Sequence, residues 1–372
     1  MKIGIDARLW SETGVGRYIR NLVKELQIID KKNEYILFVR KSDCDKVNNQ
    51  ISNNKFKTQM ADIRWHTLDE QLKLPQILNG ENLDLVHFPY FSIPIGYKKP
   101  FVITIHDLII NHFPTGKASK LPLYLYQLKK IGYDYVVRKA VSRAKKIIVP
   151  LNAVRDDLII TLAVKKEKIF VTYEGFDEKI IKNDKLPQVD STRYFLYVGN
   201  AYPHKNLDKL IKAFSLFRKD GNEDVQLLLV GKDDYFYKKL HEKIRKENYL
   251  GVVIRNNVTD AELATFYQNA IALISPSLME GFGLPVLEAM ASSCLVLASS
   301  IPSFKEVCGD AGMYFNPYSV GDIKEKMQHA YGLDISTKNK CIKRGLIRAG
   351  QFSWRKMAQE TLRVYEGSIG IR

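Results

Sequence analysis

The stretch Ser275–Met290, SPSLMEGFGLPVLEAM, decides the fold. The apolar run Ala270–Ile274 before it suits a buried parallel strand, Gly281 and Gly283 break that strand, and Pro285 has the fixed φ favoured at a first helical position. A strand that feeds a helix N-terminus through glycines gathers free amide N–H groups and the positive end of the helix dipole in one place. An anion such as a diphosphate suits that place, and the glycines let it touch backbone. Glu280 stands before the loop and Glu288 one turn into the helix, so the two carboxylates flank the anion rather than share one spot. Taken alone, two glutamates read more readily as solvated charges, but the glycines and Pro285 between them favour a site. A diphosphate carried between two polyols, as in a nucleotide sugar, would use all of these groups at once.

A chain of 372 residues has room for two domains with full cores, and 45% hydrophobic with 26% charged residues is ordinary globular composition. The four cysteines, Cys44, Cys294, Cys308 and Cys341, are far apart, and MKIGIDA opens a strand without a cationic, apolar leader. A cytoplasmic protein is therefore expected. The longest apolar runs, such as YFLYVG and VQLLLVG, have the length of buried strands and fall well short of the roughly 18 residues of a membrane span. The 57 basic and 41 acidic residues leave a net charge of +16, and half of that excess lies between Lys117 and Lys146, where nine basic residues face a single acid, Asp134. Tyrosines and leucines are interleaved with these lysines, so a helical surface for anionic lipid headgroups at the inner face of a membrane is one expectation. A lysine-rich solvated helix with tyrosines in the core is the other. Nucleic acid is not expected, because no helix-turn-helix, RNP-like or zinc-knuckle signature accompanies the charge.

Along the chain, strands alternate with helices. KIGID (residues 2–6) forms a first strand, a polar loop follows, and Gly14-Val15-Gly16 leads into a helix from about Arg17 to Gln27. The dinucleotide fingerprint fails there, because Ile19 occupies the third glycine position and the next strand, YILFVR, ends in Arg40 where an acid should hold ribose. A nicotinamide enzyme is excluded on that ground. Asp43-Cys44-Asp45 matches a DxD metal pattern only by letter, in a polar connection with no strand to fix it, so no metal site is expected. DLVHF (84–88) and FVITI (101–105) are further strands, and the second ends at His106-Asp107, where a side chain can face a ligand cleft. His66, His87 and His112 read as structural. Residues 147–150 and 170–173 continue the alternation, and Glu174–Ser191 has the aperiodic, charged, proline-containing character of a connection. A second alternating unit begins with the strand Tyr194–Gly199, the loop Asn200–Lys205 and an amphipathic helix Asn206–Lys219 carrying Leu207, Leu210, Ile211, Phe214 and Phe217 on one face. Lys205, at that helix start, adds a cation to an anion-binding geometry. Strands at 225–230, 252–255, 295–298 and 313–315 complete the unit, and Trp354–Gly367 is a last helix. The class is α/β, with two halves of similar size.

The motifs GIDAR with GVGRY (Gly4–Arg8, Gly14–Tyr18), TIHD (Thr104–Asp107), YVGNAYPHKN (Tyr197–Asn206), LLVGK (Leu228–Lys232) and SPSLMEGFGLPVLEAMA (Ser275–Ala291) stand in the order of one family. SSIPSFKEVCGDAGMYFNP (Ser299–Pro317) and FSWRKMA (Phe352–Ala358) follow. Over nearly its whole length the chain resembles the retaining glycosyltransferases of family 4, in particular bacterial mannosyltransferases of surface polysaccharide synthesis. The resemblance implies the GT-B fold: two Rossmann-like, doubly wound domains facing each other across a cleft. An acceptor-binding domain would span residues 1–175 and a nucleotide-sugar-binding domain 192–351, with the helix 352–372 returning to the first domain. It also implies residue roles. Glu288 would hold the ribose diol and Glu280 the sugar hydroxyls, while Phe282, Gly283 and Leu284 offer backbone N–H groups. Lys205 would neutralise the diphosphate with Gly16 approaching from the first domain, His106 would face the transferred sugar, and the base would lie near Val258. Arg8, Tyr18 and Asp107, with Lys129 and Lys130 of the basic stretch, fall on the acceptor or membrane side. Two departures stand out: many relatives carry arginine at Asn200, and LNAVRDDL (151–158) replaces a serine-rich pattern. Asn200 is thus an uncertain ligand of the diphosphate.

The expected reaction is transfer of a hexose, with retained configuration, from a nucleotide sugar to a saccharide or lipid-linked saccharide hydroxyl. No cofactor or metal is required if Lys205 and the helix N-terminus stabilise the leaving diphosphate. GDP-mannose is the preferred donor, with UDP-linked glucose, galactose or GlcNAc as alternatives. A GT-B nucleotide-sugar epimerase and a non-catalytic sugar-nucleotide-binding protein are the further alternatives.

Overall fold

A computed structural model describes residues 1–113, 123–177 and 193–370, with residues 123–129 as backbone alone. It divides into two compact units, one formed by Met1–Glu174 with Ser353–Arg372 and the other by Gly175–Phe352. Lys117, Lys120, the Lys129 side chain and most of the expected connection lie outside the described residues.

The first unit is built on seven parallel strands: β1 (Lys2–Asp6), β2 (Glu34–Val39), β3 (Phe56–Met60), β4 (Leu85–Phe88), β5 (Phe101–Thr104), β6 (Lys146–Val149) and β7 (Ile169–Val171). Their order across the sheet is β3-β2-β1-β4-β5-β6-β7, so the strand order reverses between β1 and β4. Central strands buried on both faces need continuous apolar runs, and β4 and β5 are buried at every position. The edge strand β3, FKTQM, buries only Phe56 fully, and its mixed polarity hides it from periodicity. The first helix runs Gly14–Ile29, so Gly14 and Gly16 lie inside its first turn rather than in a loop before Arg17. The last helix, Trp354–Ile369, packs against it and joins the first unit through buried Met357, Ala358, Thr361, Val364 and Tyr365.

The second unit has six parallel strands: β8 (Tyr194–Val198), β9 (Gln226–Gly231), β10 (Val252–Asn256), β11 (Leu273–Ser275), β12 (Val296–Ser299) and β13 (Gly312–Phe315). The order is β10-β9-β8-β11-β12-β13, with the reversal between β8 and β11. The helix Leu207–Lys219 buries Leu207, Leu210, Ile211, Phe214 and Phe217, the face its 3.6-residue period defines, against Phe195 and Leu229 of the sheet core. β11 occupies Leu273–Ser275 rather than 270–274: Ile271 only approaches the sheet, donating its N–H to Tyr194, before the ladder begins. No described helix is long and apolar enough to cross a membrane. Both sheets are wholly parallel with helical connections, the α/β architecture expected from the alternation.

Candidate functional site

In a doubly wound sheet, ligands sit beyond the carboxyl ends of the strands where their order reverses. In the second unit that place lies after β8 and β11, and it holds Asn200, Lys205, Ser277 and Glu280. Three contacts tie the two strand-end loops together, and a fourth, to Pro317, reaches the loop after β13. The Asn206 side-chain amide donates to the buried carbonyls of Pro276 (3.1 Å) and Pro317 (2.8 Å), and the Leu278 N–H donates to the His204 carbonyl at 2.8 Å. The third is ionic: Lys205 Nζ lies 2.6 Å from Glu280 Oε1, with both side chains only 14% exposed. Asn206 adopts a left-handed conformation, φ 61°, which an asparagine tolerates better than most residues and which turns the chain from Lys205 into the helix.

Glu280 is held from several sides. Ser277 Oγ donates to the same Oε1 at 2.7 Å, and Ser303 Oγ donates to the Glu280 backbone carbonyl at 2.6 Å. Burial alone would push the Glu280 carboxyl up, but the Lys205 charge and the Lys205 and Ser277 hydrogen bonds outweigh it and hold the group below its usual range. It stays an anion. His204, between them, is driven the other way: burial and the neighbouring Lys205 charge lower it to about 4, with Glu280 opposing, so its ring is neutral at physiological pH.

The helix beyond, Leu284–Ala291, begins with Gly283 as its N-cap at φ 98° and Pro285 in its first turn. A Cβ on Gly283 would lie 2.7 Å from the Phe304 ring, so both the left-handed angle and the close packing demand glycine. At this helix start Pro285 has no N–H and the Val286 N–H donates to the Gly283 carbonyl at 3.1 Å, which leaves the Phe282, Gly283 and Leu284 amides without a partner inside the helix, and the turn is aimed by Phe282, which is 5% exposed and stacks edge-on against Phe352 at 5.8 Å. Glu288 is buried to 2% within the helix and accepts a hydrogen bond from Tyr267 Oη at 2.9 Å. A carboxylate so placed has to be hydrogen-bonded to be tolerated, and a hydroxyl-bearing ligand is a matching donor. Val258 is half-buried just before the helix Asp260–Asn269, whose capping box joins Thr259 to Glu262.

Asn200 is set by its backbone. Tyr197 Oη donates to the Asn200 carbonyl at 2.6 Å, and Tyr237 Oη to the Gly199 carbonyl at 2.8 Å. Gly231 lets the two strand ends close, since a Cβ there would meet the Gly199 oxygen at 2.3 Å. These two tyrosines were not singled out by sequence; as parts of apolar strand and helix patterns they read only as core.

In the first unit, Arg8 is an interior residue. It is 2% exposed and forms ion pairs at 2.7 Å with both Asp6 and Glu70, plus a bond to the Ile63 carbonyl. The structure places this guanidinium in a buried ion-pair cluster, not on an acceptor- or membrane-facing surface. Tyr18 is likewise 1% exposed, with its hydroxyl 3.2 Å from Thr104 Oγ1 and its ring edge-on to His106 at 4.9 Å. It supports His106 from beneath rather than facing outward. Gly16 is pressed against the protein's own backbone: a Cβ would lie 2.6 Å from the Trp10 carbonyl and 2.7 Å from that of Leu9, so local packing already explains it. His106 stands just beyond β5, 13% exposed, with Nδ1 3.1 Å from Glu174 Oε1 and Nε2 3.1 Å from the Pro89 carbonyl. The Asp107 carboxylate accepts from the Ile109 N–H at 2.9 Å and starts the short helix Ile109–His112. Lys130 is half-buried on the helix Leu123–Arg143. Asp43 accepts from Ser11 Oγ at 2.5 Å and sits in a short helical turn, and among the described residues no group of three His, Cys, Asp or Glu side chains could hold a metal.

The family models agree with this division. Glycosyltransferase Family 4 matches residues 13–179, and Glycosyl transferases group 1 matches residues 178–347. The chain is 29% identical over 272 residues to the O-antigen chain mannosyltransferase RfbU of Salmonella typhimurium, covering 73% of this chain and 71% of the relative. It is 27% identical over 380 residues to the O-antigen chain mannosyltransferase B of Escherichia coli, covering 95% and 96%. Among solved structures, sucrose-phosphate synthase from Thermosynechococcus elongatus superposes with a TM-score of 0.79 at 18% identity, covering 99% of this chain and 98% of that one. WaaG, a glycosyltransferase of lipopolysaccharide biosynthesis, does so with 0.74 at 15% identity, covering 99% and 100%. Two doubly wound parallel sheets, the pairing of Lys205 with Glu280 at the second sheet's reversal point and the two successive family matches lead to one conclusion: the chain belongs to the GT-B glycosyltransferases, with a family 4 domain followed by a group 1 domain.

Proposed function

We propose that the protein transfers a hexose, with retention of configuration, from a nucleotide sugar to a hydroxyl of a saccharide or lipid-linked saccharide, and that the donor is GDP-mannose. The observation that carries the reaction class is the Lys205–Glu280 pair at 2.6 Å beside the N-terminus of the helix Leu284–Ala291. A diphosphate offers Lys205 a stronger anionic partner than one carboxylate and also draws on the unpartnered amides of the helix start. As Lys205 turns to the phosphates, the Glu280 oxygen it releases becomes an acceptor for a sugar hydroxyl. The same cation and amides then stabilise the charge that develops on the leaving diphosphate, which lowers the barrier without metal. Glu288, buried beside Tyr267, serves the ribose diol. The relatives named as mannosyltransferases support mannose as the sugar.

Retention by double displacement would need a carboxylate free to attack the anomeric carbon. With donor bound, Glu280 keeps its Ser277 hydrogen bond and gives the oxygen released by Lys205 to a sugar hydroxyl, so a front-face transfer, with the leaving phosphate taking the acceptor proton, accords better with the site. Glu280→Gln removes the charge that holds Lys205 and is expected to lower kcat about 100-fold or more. Glu288→Ala is expected mainly to raise KM for the donor, by about tenfold. Steady-state kinetics with GDP-mannose, preceded by thermal-shift screening of GDP against UDP, tests both. Near-normal kinetics in both variants would remove the site assignment, and stabilisation by UDP but not GDP would replace the donor.

A further inference from the structure

Glu174 ends the first unit at the start of an aperiodic, charged segment, and nothing in its sequence surroundings marks it for chemistry. In the fold its side chain is 7% exposed and its Oε1 lies 3.1 Å from His106 Nδ1. A buried carboxylate is retained only where something compensates its desolvation, and for Glu174 that partner is His106. The other ring nitrogen, Nε2, faces the Pro89 carbonyl, which can only accept. The two contacts lie on opposite edges of the imidazole and fix the orientation of the ring between them.

We propose that Glu174 is a positioning residue for sugar transfer: it clamps His106 at Nδ1, against the Pro89 carbonyl at Nε2 and the edge-on Tyr18 ring, so that the imidazole is held in one fixed orientation for the transfer. The proposal rests on the reading of the chain as a sugar-transferring enzyme. Its geometry rests on one connected chain of buried contacts. Tyr18 is itself anchored to Thr104, two residues before His106, and Thr104 is 2.8 Å from His87 Nε2, whose Nδ1 is 2.6 Å from Tyr365 Oη. The ring thus rests on a buried polar chain that reaches the last helix, and Glu174 closes its remaining side. Removing the clamp frees the imidazole to turn, and a small misplacement of a reacting group costs rate far more than affinity.

The test compares Glu174→Ala with Glu174→Gln in the full chain, because the glutamine amide oxygen can still accept from Nδ1. Glu174→Ala is expected to lower kcat about tenfold or more while KM for the donor stays within about twofold; Glu174→Gln is expected to restore most of kcat. In parallel, NMR of the free proteins, with the His106 ring signals identified by their loss in His106→Asn, is expected to show one ordered ring environment in the wild type and in Glu174→Gln, and exchange broadening in Glu174→Ala. Wild-type kcat in Glu174→Ala, or an unchanged His106 signal in it, would overturn the proposal. So would equal losses of kcat and thermal stability in both variants, which mark a purely structural role. If the wild type turns over no nucleotide sugar, the proposed reaction fails, while the NMR arm still decides whether Glu174 holds His106.

Discussion

His87 lies fully buried in β4, and burial together with repulsion from His106 lowers its imidazole to about 3. Its two ring nitrogens, bonded to Tyr365 and Thr104, are those of a neutral ring. A base whose folded value lies below its unfolded value of about 6.5 binds fewer protons when native, so stability is complete above pH 6.5 and is lost as the pH falls from there toward 3. The span of this effect is on the order of 5 kcal/mol. His87→Phe is therefore expected to be less stable than wild type at pH 7, having orphaned the Tyr365 hydroxyl and left Thr104 with Tyr18 alone, yet to show a shallower loss of stability between pH 6.5 and 4. Urea titrations of both proteins across that range provide the check; parallel slopes would show that other groups carry the acid sensitivity. At this scale the sequence names residue types but not partners. His87 reads as structural because a histidine within an apolar strand has few other roles. Arg8, placed on the acceptor or membrane side by resemblance, is instead a buried ion-pair partner, because the folded chain brings Glu70 to it across 62 positions.

The segment opening the second unit's site was legible as an element because its signals are local. Gly283 and Pro285 specify a helix start whatever surrounds them, and the helix begins at Leu284. Gly283→Ala places a Cβ 2.7 Å from the Phe304 ring at φ 98°, and is expected to cost about 2–3 kcal/mol in stability while weakening GDP binding, since the first turn must shift to relieve the clash. Denaturant unfolding and calorimetric titration measure the two effects; a variant with normal GDP affinity would detach this turn from the diphosphate. Elements whose stabilisation is less local were not read. The edge strand β3 is half polar, and the helices Val320–Tyr331 and Ile335–Ala349 bury few of their residues under a lysine-rich surface, so their apolar periodicity is thin. The start of β11 three residues later than the apolar run has the same origin, since such a run marks a buried segment but not where pairing begins.

Chain order and spatial order part company in the first unit, which takes its last helix from beyond residue 352. Trp354, Met357, Val364 and Tyr365 of that helix are each no more than 5% exposed. At about 1.5–3 kcal/mol for each large apolar side chain buried, their removal exceeds much of the 5–15 kcal/mol by which a typical domain is stable. Loss of Tyr365 also strips the partner from His87 Nδ1 deep in the sheet. The second unit, Gly175–Phe352, loses no residue by such a deletion and keeps its core, with Phe195, Phe214, Phe217 and Leu297 in place. A chain ending at Phe352 is thus expected to retain GDP binding within about threefold, because Lys205, Glu280, Glu288 and the helix Leu284–Ala291 are untouched, but to lose sugar transfer entirely. Hydrogen exchange resolved by peptide is expected to show collapse of protection across residues 1–113 with protection across 193–352 intact, which assigns the loss of activity to the first unit rather than to the donor site. Exchange that accelerates equally in both units would mean that the last helix stabilises the chain as a whole, and that nucleotide binding and the histidine-bearing sheet cannot be separated by this cut.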